Sequence, residues 1–163
     1  MSKGRKQATP ALEVAERAGV AYAVHSYEHD PAHESYGLEA AEKLGVDPAR
    51  VFKTLVVSTG SKDLAVAVVP VEGHLDLKAM AAAIGVKAVE MADPPTAERT
   101  TGYVVGAISP LGQKRRLPTV IDGSAEAHAT VNVSAGRRGM EIELAPQDLL
   151  RLTGGAFAPV VRW

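Results

Sequence analysis

The sequence of 163 residues contains no cysteine. Without thiols the chain forms no disulfide and offers no thiolate ligand to a metal, and such a composition is typical of a cytosolic protein. We therefore expect a cytoplasmic location. Any sulfur chemistry at a site in this chain has to come from a bound molecule.

Aromatic residues are also scarce, at 4% of the chain, whereas hydrophobic residues as a whole make up 46%. A core must therefore be built from Val, Leu, Ile and Ala, which favours β-strands covered by alanine-rich helices. The sequence has no apolar run of about 18 residues, the length that a membrane-spanning helix needs, so we expect no membrane span.

Neither sign of charge dominates, because 18 Lys and Arg stand against 19 Asp and Glu, for a formal net charge of −1. A nucleic-acid partner would therefore need a local basic patch. The dense clusters Lys114–Arg116 and Arg137–Arg138 both follow turn signals, and each fits either a solvated surface or contacts with RNA phosphates. Residues 1–7 are basic but precede no apolar segment, which argues against a secretory signal and favours a disordered lead-in over residues 1–8.

Capping and turn residues divide residues 9–163 into short elements that interleave without a regular βαβ alternation. We therefore expect a single α/β domain of the α+β type, with helices around a central mixed, largely antiparallel sheet. The patterns predict helices between Thr9 and Gly19, over Leu38–Leu44, Asp76–Ile84 and Pro95–Arg99, and after Pro146, and strands at Ala21–Ser26, Val51–Thr59, Leu64–Val69, Val86–Met91, Thr119–Asp122, Ala129–Val133 and Met140–Leu144.

Lys53 is a charged residue within an otherwise apolar predicted strand. The alternation of side chains puts Val51, Lys53 and Leu55 on one face, and Phe52 with Thr54 on the other. Its ammonium group therefore lies either in water near the strand end or partly desolvated in a cleft.

The histidines His25, His29 and His33 recur at every fourth position, which would align them on a helix as metal ligands. Pro31 interrupts that pattern, and the chain has no cysteine to complete a common zinc site. We expect neither a metal nor another cofactor. The sequence also lacks a Gly-x-Ser-x-Gly nucleophile elbow, a P-loop and a Gly-x-Gly-x-x-Gly fingerprint.

The segment Gly102–Pro110 is apolar but contains two glycines and ends in proline. One interpretation is a bulged strand followed by a turn. The other is a loop whose free amide groups bind a carbonyl oxygen or an oxyanion, since glycine allows close approach of the backbone to a ligand.

Six segments of this sequence resemble those of the YbaK/EbsC family of aminoacyl-tRNA editing proteins. The similarity extends from about Thr9 to Phe157, and its most specific part is the Ser-Pro-Leu-Gly-Gln-Lys run. The segments are His25–Asp30, Val51–Leu55, Val66–Pro70, Val89–Pro94, Thr101–Gly106 and Ile108–Lys114.

The resemblance implies a cleft in which Lys53 is the catalytic residue. Tyr36 stands where family members usually have Phe, and Glu141 stands where many have Asp. The family's Gly-x-x-x-Pro substrate loop corresponds to Gly106–Pro110. The substrate-binding residues implied are Tyr27, Tyr36, Gly106, Ala107, Ile108, Ser109, Pro110, Ser134 and Glu141.

The activity implied by the resemblance is trans-editing, in which the ester of mischarged Cys-tRNA(Pro) is hydrolysed with help from the substrate's own thiol. Lys114, Arg115 and Arg116 would contact the tRNA backbone, and prolyl-tRNA synthetase is a candidate partner. Two alternatives remain open. The chain could be a non-catalytic module that binds tRNA or a synthetase, or a deacylase for alanine or serine esters.

Overall fold

Each α-helix of the described residues lies close to a predicted one, although the helix predicted over Leu38–Leu44 begins two residues earlier, at Tyr36. The computed structural model describes residues 8–33, 35–60 and 63–163. Four of the five α-helices in these residues start at a side-chain cap, and each ends at a glycine in the left-handed conformation. They are α1 (Pro10–Ala18), α2 (Tyr36–Leu44), α3 (Leu77–Ile84), α4 (Pro94–Thr101) and α5 (Pro146–Thr153).

The strands form two main sheets and a small two-stranded one. The first has the order β5-β2-β3-β6-β9 and is mixed, because β6 runs parallel to both of its neighbours. The second, β1-β8-β7, is antiparallel, and β4 pairs with β10. The strands are β1 (Tyr22–Ser26), β2 (Phe52–Ser58), β3 (Leu64–Pro70), β4 (His74–Leu75), β5 (Glu90–Met91), β6 (Thr119–Asp122), β7 (Val131–Arg137), β8 (Met140–Leu144), β9 (Ala156–Ala158) and β10 (Val161–Arg162).

The main core lies between the two large sheets, so that one face of β2 and β3 packs toward the antiparallel sheet. Their opposite face, with Val57, Ala67 and Val69, packs against Met80 of α3. This division follows the alternation of side chains along a strand. The main core includes Phe52, Val56, Val66, Val68 and Ile121 from the larger sheet and Val131, Val133, Ile142 and Leu144 from the smaller one.

Strand β2 is paired along its whole length with β3 but only at its ends on the other side. Val51 forms one parallel bridge to Asn132 of β7, while Val57 and Ser58 pair with β5. Between these points the outer edge of β2 has no partner strand in the described part of the chain. That gap between the two sheets positions the candidate site.

The mixed, largely antiparallel α/β fold is therefore confirmed, with several local corrections. No strand forms over residues 102–110, so the bulged-strand interpretation is wrong: Gly102 and Gly106 adopt positive φ and break the extended backbone. Of the predicted strand Val86–Met91 only Glu90 and Met91 pair. The sequence patterns also missed β4, β9 and β10, which are too short to show an alternation.

The expected lead-in lies almost entirely outside the described residues, which begin at Ala8. Thr9, the first residue of the predicted domain, is buried and donates a hydrogen bond to the carbonyl oxygen of Ala135, 2.5 Å away. Within the described residues, every helix falls short of the length and apolar character that crossing a membrane would require.

Gly112 allows the segment before β6 to pack on the start of α1, and it has a matched control in Gly45. Both have positive φ, +67° and +66°, but an added Cβ at Gly112 would lie 2.5 Å from the carbonyl carbon of Pro10, whereas Gly45 has no neighbour within 4 Å. Gly45→Ala should therefore cost about 1–2 kcal/mol of unfolding free energy from backbone strain alone. Gly112→Ala should cost at least about 1 kcal/mol more, because of overpacking.

Urea unfolding of the two variants beside the wild type measures this difference. Equal losses would show that the contact between Gly112 and α1 contributes nothing beyond the backbone conformation.

Candidate functional site

A cavity of about 420 Å³ opens at the unpaired edge of β2. Its walls come from β2, the start of α2, the segment from β5 into α4, the loop after α4, and the β7–β8 hairpin. The lining residues are Tyr27, Ser35, Tyr36, Gly37, Phe52, Lys53, Thr54, Leu55, Val56, Met91, Ala92, Pro94, Ala97, Val105, Gly106, Ile108, Ser134, Arg137, Arg138, Gly139 and Glu141.

Lys53 lies on the cavity wall with its side chain half-buried. Burial lowers the pKa of its ammonium group, and no carboxylate in the described chain offsets this effect. Of the two positions that the sequence left open, the structure shows a partly desolvated lysine in a cleft. A cation in this state gains more from a bound anion or carbonyl oxygen than a fully hydrated one would.

Glu141 contributes a buried carboxyl group without an ion-pair partner among the described residues to the same cavity. It lies on the central strand β8, between Ser134 of β7 and His25 of β1, and only 7% of its surface is exposed. Burial raises the pKa of its carboxyl group to about 8, since no donor among the described residues stabilises the ionised form. Glu141 and Lys53 therefore face one cavity without forming an ion pair, which leaves both free for a ligand.

Thr54 adds an unsatisfied hydroxyl group beside Lys53. Its Oγ1 atom is buried and has no hydrogen-bond partner among the described residues, although the residue lines the cavity. A buried hydroxyl without a partner is uncommon because it loses the hydrogen bonds that water would provide.

Tyr36 is held at the cavity mouth by neighbours from three other segments. Its ring lies 5.3 Å from the ring of His29, and the guanidinium group of Arg138 stands 5.1 Å above its centroid. Arg138 also donates a 2.6 Å hydrogen bond to the carbonyl oxygen of Val105. Gly106 has φ +89°, and an added Cβ there would lie 2.6 Å from a ring carbon of Tyr36. Glycine is therefore required where the loop crosses this ring.

Glu39, one turn along α2 from Tyr36, is buried in the protein interior and stabilises the cavity wall that contains Tyr36. Its buried carboxylate accepts hydrogen bonds from Nδ1 of His29 at 2.7 Å and from the Asp30 amide at 2.6 Å, and it pairs with Lys43 at 3.0 Å. Burial raises the pKa of Glu39, but these donors outweigh it and lower the pKa to about 2. Glu39 therefore stays ionised and holds the His29 segment against Tyr36.

Tyr27 forms the wall between Glu39 and Glu141. Burial raises the pKa of its phenol group to about 12, and the two nearby carboxyl groups add to the effect. Its hydroxyl group thus remains protonated at neutral pH and can serve as a hydrogen-bond donor.

The predicted substrate loop, Gly106–Pro110, presents alternate residues to the cavity. Gly106 and Ile108 line it, whereas Ala107, Ser109 and Pro110 are buried behind the wall. Ser134 lines the cavity and donates a 3.1 Å hydrogen bond from Oγ to the carbonyl oxygen of Ala107, which ties the loop to β7. The Oγ atom of Ser109 accepts a hydrogen bond from the Leu111 amide, so this hydroxyl is engaged away from the cavity.

The two basic clusters occupy different places. Lys114, Arg115 and Arg116 are exposed and lie outside this cavity, whereas Arg137 and Arg138 line it. The sequence predicted Arg137 and Arg138 as a basic cluster but not as part of the site. The available signal was its position in the turn between Ser134 and Glu141.

The three histidines diverge instead of forming a metal site. His25 pairs with Glu143 and His29 with Glu39, both at 2.7 Å, while His33 lies 3.7 Å from Glu42. The described chain contains no cluster of three or more His, Cys, Asp or Glu side chains suited to a metal ion.

Comparison with known protein families decides the classification. Residues 29–152 match the aminoacyl-tRNA editing domain. The chain belongs to this family. All the cavity walls except Tyr27 fall within the matched part of this editing domain.

The editing domain is similar over nearly its full length to EbsC of Enterococcus faecalis (strain ATCC 700802 / V583), which is described provisionally as a Cys-tRNA(Pro)/Cys-tRNA(Cys) deacylase. The two are 41% identical over 97% of this chain and 96% of EbsC. YwhH of Bacillus subtilis (strain 168) is 29% identical over 68% of this chain and 70% of its own length.

Two solved structures share the fold. The hypothetical protein APE2540 superposes with a TM-score of 0.84 at 24% identity, covering 94% of this editing domain and 100% of that chain. A structure described provisionally as a trans-editing enzyme for prolyl-tRNA synthetase gives a TM-score of 0.78 at 25% identity, covering 94% and 93%.

The buried carboxyl group of Glu141 predicts a specific pH dependence of stability. Its folded pKa of about 8 lies above its ordinary value of 4.5, so the native state is penalised as pH rises through this range. The unfolding free energy of the wild type relative to Glu141→Gln should fall between about pH 4.5 and pH 8, by on the order of 4 kcal/mol. Denaturant unfolding of both proteins at several pH values measures it.

Glu39→Gln provides the opposite control. Because the pKa of Glu39 is lowered to about 2, its contribution to stability is present above its ordinary pKa of 4.5 and is lost as pH falls toward 2. A wild-type advantage over Glu141→Gln that stays constant from pH 4.5 to pH 8 would contradict the buried, unpaired state of Glu141.

Proposed function

We propose that this editing domain hydrolyses the ester bond of mischarged Cys-tRNA(Pro), with the reaction centred on Lys53. The observation that carries the proposal is that Lys53 and Glu141 line the same cavity but do not contact each other. An aminoacyl ester carries groups that complement both residues, namely a cationic α-ammonium group, an electron-rich carbonyl oxygen and nearby phosphates.

In the bound ester the α-ammonium group pairs with the ionised carboxyl group of Glu141. An unpaired charge in this buried position is costly, and a cationic ligand removes the cost while the carboxyl group gives up its proton. Lys53 lies toward the ester carbonyl oxygen or the adjacent phosphate. Its charge, partly desolvated, stabilises negative charge that develops on the oxygen during the reaction.

The amino acid fits the apolar part of the cavity, between Tyr27, Phe52 and Ile108. A volume of about 420 Å³ lies in the lower part of the usual range for small-molecule sites, which favours a small side chain together with the terminal ribose. The backbone of Gly106, which lines the cavity, supplies a further hydrogen bond.

The attacking group in this proposal is the thiol of the substrate. The chain has no cysteine, and the hydroxyl groups of Ser109 and Ser134 donate to or accept from the backbone without a histidine base beside them. The substrate sulfur forms a bond to the ester carbonyl carbon, the bond from that carbon to the ribose oxygen breaks, and the thiol proton ends on this oxygen. The cyclic thiolactone released then reacts with water to give cysteine.

This route makes catalysis mainly a matter of orientation. The nucleophile and the carbonyl carbon belong to one molecule, so the domain needs to hold a reactive conformation and stabilise the oxyanion. The name of EbsC supports cysteine as the constant part of the substrate, because it names two tRNAs that share this amino acid. Choice of tRNA then depends on a partner, for which prolyl-tRNA synthetase in the cytoplasm is the candidate.

The exposed cations of Lys114, Arg115 and Arg116 lie outside the cavity and suit contacts with tRNA phosphates. Deacylation of alanine or serine esters, and a purely binding role, are the alternative outcomes of the assays. A purely binding role does not account for the unpaired Lys53 and Glu141 as directly. Alanine and serine esters carry the same α-ammonium and carbonyl groups, so only assays with those substrates separate them from the cysteine ester.

Replacement of Lys53 tests the proposal. Lys53→Ala should lower the single-turnover rate of Cys-tRNA(Pro) deacylation by about 100-fold or more, the usual effect of losing one oxyanion-stabilising group. Lys53→Arg should restore only part of the rate, because a planar guanidinium group does not reproduce the geometry of the ammonium group.

Lys78→Ala, at an exposed position of α3, is the matched control and should leave the rate unchanged. Thermal melting of each variant checks folding. A folded Lys53→Ala protein with nearly wild-type turnover would remove Lys53 from the mechanism. Absence of Cys-tRNA(Pro) deacylation by the wild type would leave the alanine or serine deacylase and the binding role.

A further inference from the structure

A second cavity of about 550 Å³ lies beyond the end of β2 that is remote from Val51. Its apolar floor includes Ile84, Val86 and Leu117, and its rim carries the cations of Lys87, Arg115 and Arg116. The segments that form it are the β2–β3 turn with the start of β3, the end of α3, the connection to β5 and the approach to β6. We call it the basic groove.

The charge of the basic groove contrasts with that of the whole chain. Three cations stand on its rim against one carboxylate, Asp63, whereas the formal net charge of the protein is −1. The ion pairs found among the described residues involve none of the three cations. The groove is therefore the kind of local patch that attracts a polyanion to a protein of nearly neutral net charge.

Arg116 is held in place by packing as well as by solvation. Its guanidinium group rests against Gly154 at the end of α5, where an added Cβ would lie 2.4 Å from Nη2. A cation beside the C-terminus of a helix also interacts favourably with the helix dipole. Arg116 is thus partly ordered before any ligand binds, which reduces the entropy lost on binding.

Helix α4 connects the basic groove to the cavity that contains Lys53. Pro94 and Ala97, in its first half, line the cavity, while the carbonyl oxygen of Thr100, near its end, accepts a hydrogen bond from the Arg115 amide. A helix of eight residues is about 12 Å long, which corresponds to about three or four nucleotides at roughly 3.4 Å per nucleotide.

We propose that the basic groove binds the tRNA backbone a few nucleotides before the esterified end. This inference rests on the proposed function. Lys87, Arg115 and Arg116 contact phosphates, and the apolar floor accepts the face of a ribose or a base. Compared with the cluster Lys114–Arg116 that the sequence predicted, the groove includes Lys87 as well, and Lys114 does not line it. Such contacts position the RNA without reading its sequence.

The test uses single Lys87→Gln, Arg115→Gln and Arg116→Gln variants and the triple variant. Direct binding of uncharged tRNA is measured as a function of salt. Each single variant should lower the magnitude of the slope of log K against log salt by about one, and the triple variant should weaken binding at low salt by about 10-fold or more. Arg17→Gln, an exposed cation of α1 outside both cavities, is the control and should bind as the wild type does.

A second arm compares cleavage of full-length Cys-tRNA with cleavage of cysteine esterified to a single adenosine. The triple variant should raise KM for the full-length substrate without changing kcat, and it should cleave the adenosine ester at the wild-type rate. Equal effects on both substrates, or an unchanged salt slope, would overturn the groove assignment. Stronger competition by polyglutamate than by RNA would overturn the choice of RNA as ligand.

The two proposals fail in different ways. Salt-sensitive tRNA binding that depends on the groove, without any ester cleavage by the wild type, would uphold the groove and refute the deacylase. Cleavage that is lost in Lys53→Ala but unchanged in the triple variant would uphold the deacylase and refute the groove.

Discussion

The interrupted pairing along the outer edge of β2 is the constraint on which the site depends. The strand is bridged to β7 at Val51 and joined to β5 at Val57, so the two sheets separate between these points. Side chains from both sheets face the resulting gap, and Lys53 lies within it. Closing the gap with continuous pairing would satisfy the backbone but would bury Lys53 without water or a counterion, which is strongly unfavourable.

Two buried carboxyl groups have opposite pKa shifts because their surroundings differ. Glu39 and Glu141 are both buried, yet the pKa of the first is lowered to about 2 while that of the second is raised to about 8. Three donors surround Glu39, so its charge is neutralised within the fold and stabilises the wall behind Tyr36. Glu141 lacks such donors in the described residues, so its carboxyl group stays uncompensated within the fold, a condition that is common at functional sites.

The sequence predicted the elements whose signals are local. Thr9 and Gly19 mark α1 because capping is an interaction between residues a few positions apart, and the β2–β3 hairpin follows from alternation around a short turn. The resemblance to editing proteins predicted Lys53, Tyr27, Tyr36 and the loop Gly106–Pro110 as parts of a single site, and one cavity is lined by the first three residues and by part of the loop.

Features that depend on contacts between residues far apart in the sequence were not predictable in this way. Strand β9 contains three residues and exists because β6 lies beside it. The stacking of Arg138 on Tyr36 joins residues about one hundred positions apart, and the basic groove joins Lys87 to Arg115 through packing around β6. The apolar composition of residues 102–110 suggested a strand, but positive φ at Gly106 and the close approach of Tyr36 select a loop.

The measurement that tests the central claim most directly compares single-turnover cleavage of cysteinyl-, seryl- and S-methylcysteinyl-tRNA(Pro) by the wild-type domain. If the substrate thiol is the nucleophile, cysteine should exceed serine by more than the roughly 10–200-fold that pocket fit alone provides. The S-methylated ester should compete for binding yet remain uncleaved. Hydrolysis of the methylated ester at a rate comparable to that of the cysteinyl ester would contradict the account and require attack by water.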